Sequence, residues 1–154
     1  MPPAEAGAYI RAYFERFPAI LAYMERIKTD CRRTGYVETI FGRKCFISGV
    51  RDANPMRRAA AERQAINAPL QGSAADIIKR AMGRIPGALT KAGLNARMLL
   101  QVHDELLFEV PEAEAHDTAR VVKAVMEAAC APHCELSVPL VVETGRGHNW
   151  DEAH

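Results

Sequence analysis

The chain has 154 residues, 49% of them apolar, enough to bury the core of one domain or a large part of one. Its formal net charge is +1, and no apolar run approaches the roughly 18 residues of a membrane span, so no membrane partner is expected. Met1-Pro2-Pro3-Ala4-Glu5 lacks the basic start and apolar stretch of a secretory signal, which makes a cytoplasmic protein the expectation.

Residues 5–34 read as helix. Ile10, Phe14, Phe17, Leu21, Met24, Ile27 and Cys31 recur at spacings of three or four, with Arg11, Glu15, Glu25, Lys28 and Arg32 off the stripe. Pro18 disfavours helical geometry at Phe17, so a kink or break falls there, and Gly35 is a fitting stop. Tyr36–Ile40 and Cys45–Ile47 are rich in strand formers and predict a hairpin connected by Phe41-Gly42-Arg43-Lys44. Ser48–Pro55 is read as a loop.

Residues 56–84 read as a second long helical region, Ala-rich, with Ile66, Leu70, Ala74, Ile77, Ile78 and Met82 apolar. Pro69 and Gly72 are expected to interrupt it, and Pro86-Gly87 marks its end or a further break. Two apolar runs, Met98–Val102 and Leu106–Val110, are separated by His103, Asp104 and Glu105, a short hairpin with a charged tip. Pro111-Glu112 opens a third helix running to about Cys130, with Ala115, Ala119, Val122, Val125, Met126 and Ala129 as its apolar stripe. Pro139–Glu143 reads as a last strand. Helices mixed with hairpins predict an α+β fold, an antiparallel sheet of hairpins covered on one face by long helices.

Four cysteines, Cys31, Cys45, Cys130 and Cys134, are irregularly spaced and read as reduced thiols. Cys130-Ala131-Pro132-His133-Cys134 resembles half a zinc site, but no second Cys/His pair comes after it; two small apolar residues at a helix end is the plainer reading. Charge is lopsided. Residues 1–97 carry 17 Lys and Arg against 8 Asp and Glu, whereas residues 98–154 carry 3 against 11. That is consistent with a polyanion along one side and cations on the other, or with a dipolar surface that has no partner.

The hairpin tip breaks local rules. It has no glycine, and two adjacent acids repel each other. A carboxylate on a rigid hairpin is a good hard-oxygen ligand for Mg²⁺; an ordinary solvated turn is the alternative. Arg63, Asn67 and Gln71, spaced i, i+4, i+8, would share one face of an unbroken helix. Such a row of donors suits the minor groove, where every base pair offers acceptors in similar places. Arg57, Arg58, Lys79 and Arg80 would add phosphate contacts. The alternative is a solvated helix face.

These residues form a familiar set. Gln101-Val102-His103-Asp104-Glu105-Leu106-Leu107-Phe108-Glu109-Val110 resembles motif C of family-A DNA polymerases. The stretch from Glu62 to Lys79, containing Arg63, Asn67 and Gln71, is similar to the helix that faces the primer–template minor groove in that family. Tyr13-Phe14-Glu15-Arg16-Phe17-Pro18 and Gly35-Tyr36-Val37-Glu38-Thr39 resemble the segment after the fingers, and Asn149–His154 resembles the end of the bacterial members. The resemblance covers nearly the whole chain in order. It implies a C-terminal part of the polymerase domain with a palm-type sheet: residues 1–35 as the post-fingers helix, 36–95 as hairpin and minor-groove helix, 96–154 as the motif C hairpin, a helix and a final strand.

It also implies roles. Asp104 would be a Mg²⁺ ligand, Glu105 its acidic neighbour, and His103 would lie near the primer terminus. Arg63, Asn67 and Gln71 would contact the minor groove. Primer–template DNA and a deoxynucleoside triphosphate would be the partners of the complete, nucleoid-associated enzyme, working by a two-metal nucleotidyl transfer. Two family elements have no counterpart here: the palm strand bearing the other catalytic Asp, and the fingers helix that binds the triphosphate. The isolated chain is therefore expected not to polymerise DNA and to bind Mg²⁺ weakly or not at all. Apolar residues of the Phe14–Ile27 stripe that those elements would cover are expected to be exposed and to promote a homo-oligomer. Competing readings are a non-catalytic DNA-binding accessory module and an α+β protein unrelated to nucleic acid.

Overall fold

The computed structural model describes residues 2–153. α1 spans Pro3–Arg16 and α2 spans Pro18–Thr34, separated by Phe17 at φ −124°, ψ 63°. The break falls where proline imposes it: Pro18 has no amide to donate and pushes the preceding residue out of helical geometry, then opens α2 at its first position. Gly35 ends α2 at φ 85°, its N–H donating to the Cys31 carbonyl at 2.7 Å.

β1 (Tyr36–Glu38) and β2 (Lys44–Phe46) pair antiparallel, with Tyr36 opposite Phe46 and Glu38 opposite Lys44. Thr39 organises the connection, its Oγ1 accepting from the amides of Phe41 at 3.3 Å and Arg43 at 3.2 Å. The loop after β2 ends in a helix cap: Asn54 Oδ1 accepts the Met56 amide at 2.9 Å.

α3 runs uninterrupted from Pro55 to Lys91. This corrects the expected breaks at Pro69 and Gly72 and the expected end near Pro86-Gly87. A helix-interior proline loses one amide bond and costs about 3 kcal/mol, but α3 buries Ala61 and Ala65 in one core and Ala81, Ile85 and Leu89 in another. That packing along its length outweighs the local penalty.

The chain forms two compact units, residues 1–73 and 74–154, and α3 contributes to both. In the first unit Cys31, Val37, Ile47, Val50, Ala61 and Ala65 form the core. The Arg51 guanidinium donates to the carbonyls of Arg32 and Arg33 at the end of α2, and Tyr23 Oη donates to the Ile66 carbonyl at 3.1 Å. The first contact ties α2 to the loop after β2, and the second ties it to α3.

The second unit holds β3 (Arg97–Val102) and β4 (Glu105–Glu109), antiparallel, with Leu99 bulged between Met98 and Leu100. A 3-10 turn at Glu112–Glu114 leads into α4 (Ala115–Glu127). The third helix is thus shorter at both ends than its sequence suggests. Its start tightens because the Pro111 carbonyl accepts the Glu114 amide at 2.8 Å, and its end gives way to turns whose carbonyls take side-chain donors from α3. Leu106 and Phe108 pack with Ala81, Ile85, Leu89, Val122 and Ala129, so helices cover one face of the β3–β4 hairpin. Leu99 and Leu100 remain exposed.

Residues 139–143 are not a strand, contrary to expectation. A strand needs a ladder partner, and the described residues form two separate two-stranded hairpins that do not include this segment. The Val142 amide donates instead to Glu127 Oε1 at 3.2 Å, and Val141 is 70% exposed. A short α5, Trp150–Ala153, comes last, with Asn149 Oδ1 accepting the Glu152 amide at 3.1 Å. Of the Asn149–His154 motif, His154 lies outside the described residues. The α+β class stands, with antiparallel hairpins and long helices.

Candidate functional site

Val102 pairs directly with Glu105, so the β3–β4 connection is only His103-Asp104. Glu105 belongs to β4, which corrects the three-residue tip read from the sequence. Two-residue hairpin loops need left-handed backbone at a central position to match the strand twist, and glycine usually supplies it. Here His103 takes that conformation at φ 52°, the one non-glycine residue to do so among those described. Histidine tolerates this region better than most residues but still carries strain. Gln101 Nε2 donates to the His103 carbonyl at 2.8 Å and braces the turn from β3. In the sequence Gln101 is marked only as a lone amide in an apolar strand, two positions before the turn.

The apex this builds is open. His103, Asp104 and Glu105 are all exposed. The Asp104 carboxylate has no hydrogen-bond or ion-pair partner among the described residues. Strand alternation puts Glu105 on the face opposite Leu106 and Phe108. Among the described residues no three His, Cys, Asp or Glu side chains converge to hold a metal. Carboxylate oxygens are the donors Mg²⁺ prefers, so the exposed Asp104 carboxylate fits as one ligand of a shell that other groups would complete, with Glu105 as its acidic neighbour, and not as a closed site.

In the first unit, continuity of α3 through Pro69 keeps Arg63, Asn67 and Gln71 in helical register on one exposed face, away from buried Ala61 and Ala65. Arg57 is exposed and lies 3.9 Å from Asp52 Oδ2. Arg58 is half-buried, with Nη1 donating to the Asp52 carbonyl at 2.9 Å. Of the two basic residues expected to join them in binding phosphate, Lys79 is exposed but Arg80 is committed to the Ala129 carbonyl at 3.1 Å. The hairpin residues are brought together in one unit and the α3 row in the other.

All four cysteines are free. Burial pushes the Cys130 thiol above its ordinary range, and proximity to Cys134 adds to this while Arg80 and Arg84 oppose it.

The sequence profile of DNA polymerase family A matches residues 1–152. A DNA polymerase I of Rhizobium leguminosarum is 54% identical over 153 residues, 98% of this chain and 15% of that protein. A DNA polymerase I of Pseudomonas aeruginosa is 50% identical over 150 residues, 97% of this chain and 16% of that protein. The chain therefore spans less than a fifth of the length of these curated relatives. Among solved structures, the POL domain of Pol1 from M. smegmatis, in complex with DNA primer-template and dNTP, superposes with a TM-score of 0.93 at 43% identity, covering 99% of this chain and 26% of that one.

Proposed function

The chain belongs to DNA polymerase family A, and on that premise we propose that it supplies one carboxylate arm of the catalytic site and a row of duplex contacts to a DNA-directed DNA polymerase. The observation that carries the reading is the β3–β4 turn: left-handed strain falls on His103, and the next residue presents an exposed carboxylate at the apex. A turn that had only to reverse the chain would do so more cheaply with Asn-Gly or Asp-Gly.

Asp104 offers a hard-oxygen ligand to Mg²⁺, with Glu105 as the adjacent acid and His103 beside the primer terminus. When bound, Mg²⁺ neutralises phosphate charge and makes a primer hydroxyl easier to deprotonate. Arg63, Asn67 and Gln71 donate to minor-groove acceptors that every base pair presents, so they sense pairing geometry without selecting sequence. Arg57 and Arg58 hold phosphates, which sets position along the duplex. Primer–template DNA and a deoxynucleoside triphosphate are the partners, and the cytoplasm with its nucleoid is the compartment.

Among the described residues no further acid, His or Cys gathers with Asp104 and Glu105, so the isolated chain is inactive in primer extension by itself. Its apolar α1–α2 face, with Tyr9, Ile10, Tyr13, Phe17, Ile20 and Leu21 each at least 40% exposed, drives self-association of the isolated chain. The test is equilibrium binding of the chain to primer–template duplex across a salt series. Affinity that is independent of sequence and falls steeply with salt supports the reading; the expected slope is about −0.9 per phosphate contacted. No salt-dependent binding would remove it.

A further inference from the structure

Cys130 and Cys134 bracket a tight turn just beyond α4. The amides of His133 and Cys134 both donate to the Cys130 carbonyl, at 3.0 and 3.2 Å. Cys130 is 6% exposed and Cys134 is half-buried, and the neighbouring Cys134 adds to the upward push that burial puts on the Cys130 thiol. The turn is gripped from α3: Arg80 Nε donates to the Ala129 carbonyl at 3.1 Å, and Arg84 donates to those of Ala128 at 3.1 Å and Ala131 at 2.7 Å. The Cys134 amide bond to the Cys130 carbonyl closes one α-turn on these two residues, and a disulfide spans Cα separations of about 4.4–6.8 Å. Closure therefore asks for a local tightening of the turn and no rearrangement of α4.

We propose that Cys130 and Cys134 form a reversible intrachain disulfide when the chain meets a small-molecule disulfide of the glutathione class. Cys134, the more accessible, loses its proton to solvent. Its thiolate attacks one sulfur of oxidised glutathione, whose S–S bond breaks and releases one glutathione thiolate, which takes up a proton. Cys130 then loses its proton and attacks the Cys134 sulfur of the mixed disulfide, expelling the second glutathione. Two cysteine thiols are oxidised and one glutathione disulfide is reduced to two thiols. Burial pushes the Cys130 thiol up and so slows its attack in the second step. The product staples the segment whose carbonyls Arg80 and Arg84 hold, so the modification fixes the end of α4. Cys31, fully buried in the core of the first unit, is an internal control.

The experiment treats the folded 154-residue chain with oxidised glutathione, blocks remaining thiols with iodoacetamide, digests it and maps the cysteines by mass spectrometry. The peptide holding residues 130–134 should become two hydrogens lighter and resist alkylation, and dithiothreitol should restore both thiols. Cys130→Ser should leave a lasting glutathione adduct on Cys134. Full alkylation of both thiols after treatment, or an adduct that persists on Cys134 in the unsubstituted chain, overturns the proposal. The unsubstituted chain decides by itself, so a variant that fails to fold does not protect it.

Discussion

A Cβ placed on Gly72 would stand 2.8 Å from Thr39 Cγ2 and 3.2 Å from Arg43 Nη2. Thr39 is 5% exposed and β-branched, so it has little room to retreat, and Arg43 Nη2 is engaged with the Gly72 carbonyl at 3.1 Å. The glycine lets the β1–β2 connection press against α3. Alanine is intrinsically the better helix former by about 1 kcal/mol, but overpacking a tight contact costs about 1–3 kcal/mol. Gly72→Ala is expected to lower stability by up to about 2 kcal/mol. Gly83→Ala, on the same helix with open space around it, should raise stability by up to about 1 kcal/mol. Urea denaturation of both variants checks the opposite signs.

The contrast between Phe17 and Pro69 shows what was legible in the sequence. Both mark a proline in a helical pattern. At Pro18 the chain had little packing to lose and broke as local rules dictate; at Pro69 the helix had cores on either side of it and continued. Local chemistry also sufficed for Gly35 and for both hairpins. It did not suffice for residues 139–143, whose β-rich composition cannot form a ladder without a partner strand, or for Glu105, whose place in β4 comes with a left-handed His103 where glycine would be the usual residue. The helical register of Arg63, Asn67 and Gln71 was legible, but its survival past Pro69 was not.

The α3 row and its basic neighbours should separate by their salt response. Arg57→Ala is expected to weaken duplex binding for all sequences alike and to flatten the salt slope by about 1. Asn67→Ala and Gln71→Ala should weaken binding without changing that slope, because neutral donors release no counterions. Fluorescence anisotropy at several salt concentrations distinguishes the two patterns; a common slope change would place the amides elsewhere.

Self-association should depend on the exposed α1 face. Light scattering of the isolated chain is expected to show mass rising with concentration. Ile10→Lys or Tyr13→Glu should shift the chain toward monomer, since a charge in an apolar contact is costly to desolvate. A strictly monomeric chain at high concentration would contradict this.

Alkaline pH should destabilise the fold. Burial pushes the Cys31 and Cys130 thiols up from their ordinary 9.0 and the Tyr23 phenol up from 10.0, with Arg51 and Arg26 partly opposing the shifts at Cys31 and Tyr23. Below the ordinary value each group is protonated in both states and contributes no pH dependence. Above it the unfolded chain loses protons first, so the folded chain holds more and stability falls as pH rises toward the folded values. One thiol contributes at most about 1.4 kcal/mol per pH unit in that window. Urea midpoints should decline above about pH 9, and less steeply in Cys31→Ala once its lower starting stability is allowed for.

The role of Asp104 can be measured by grafting. The chain would replace the matching segment of the Rhizobium leguminosarum DNA polymerase I, to which it is 54% identical, and Mg²⁺-dependent primer extension would be compared for the graft with and without Asp104→Asn. A ligand that helps neutralise transferring phosphate is worth several kcal/mol, so the substitution should cost roughly 100-fold or more in rate while duplex binding stays intact. Extension at an unchanged rate by the substituted graft would mean that the apex carboxylate holds no metal for this chemistry.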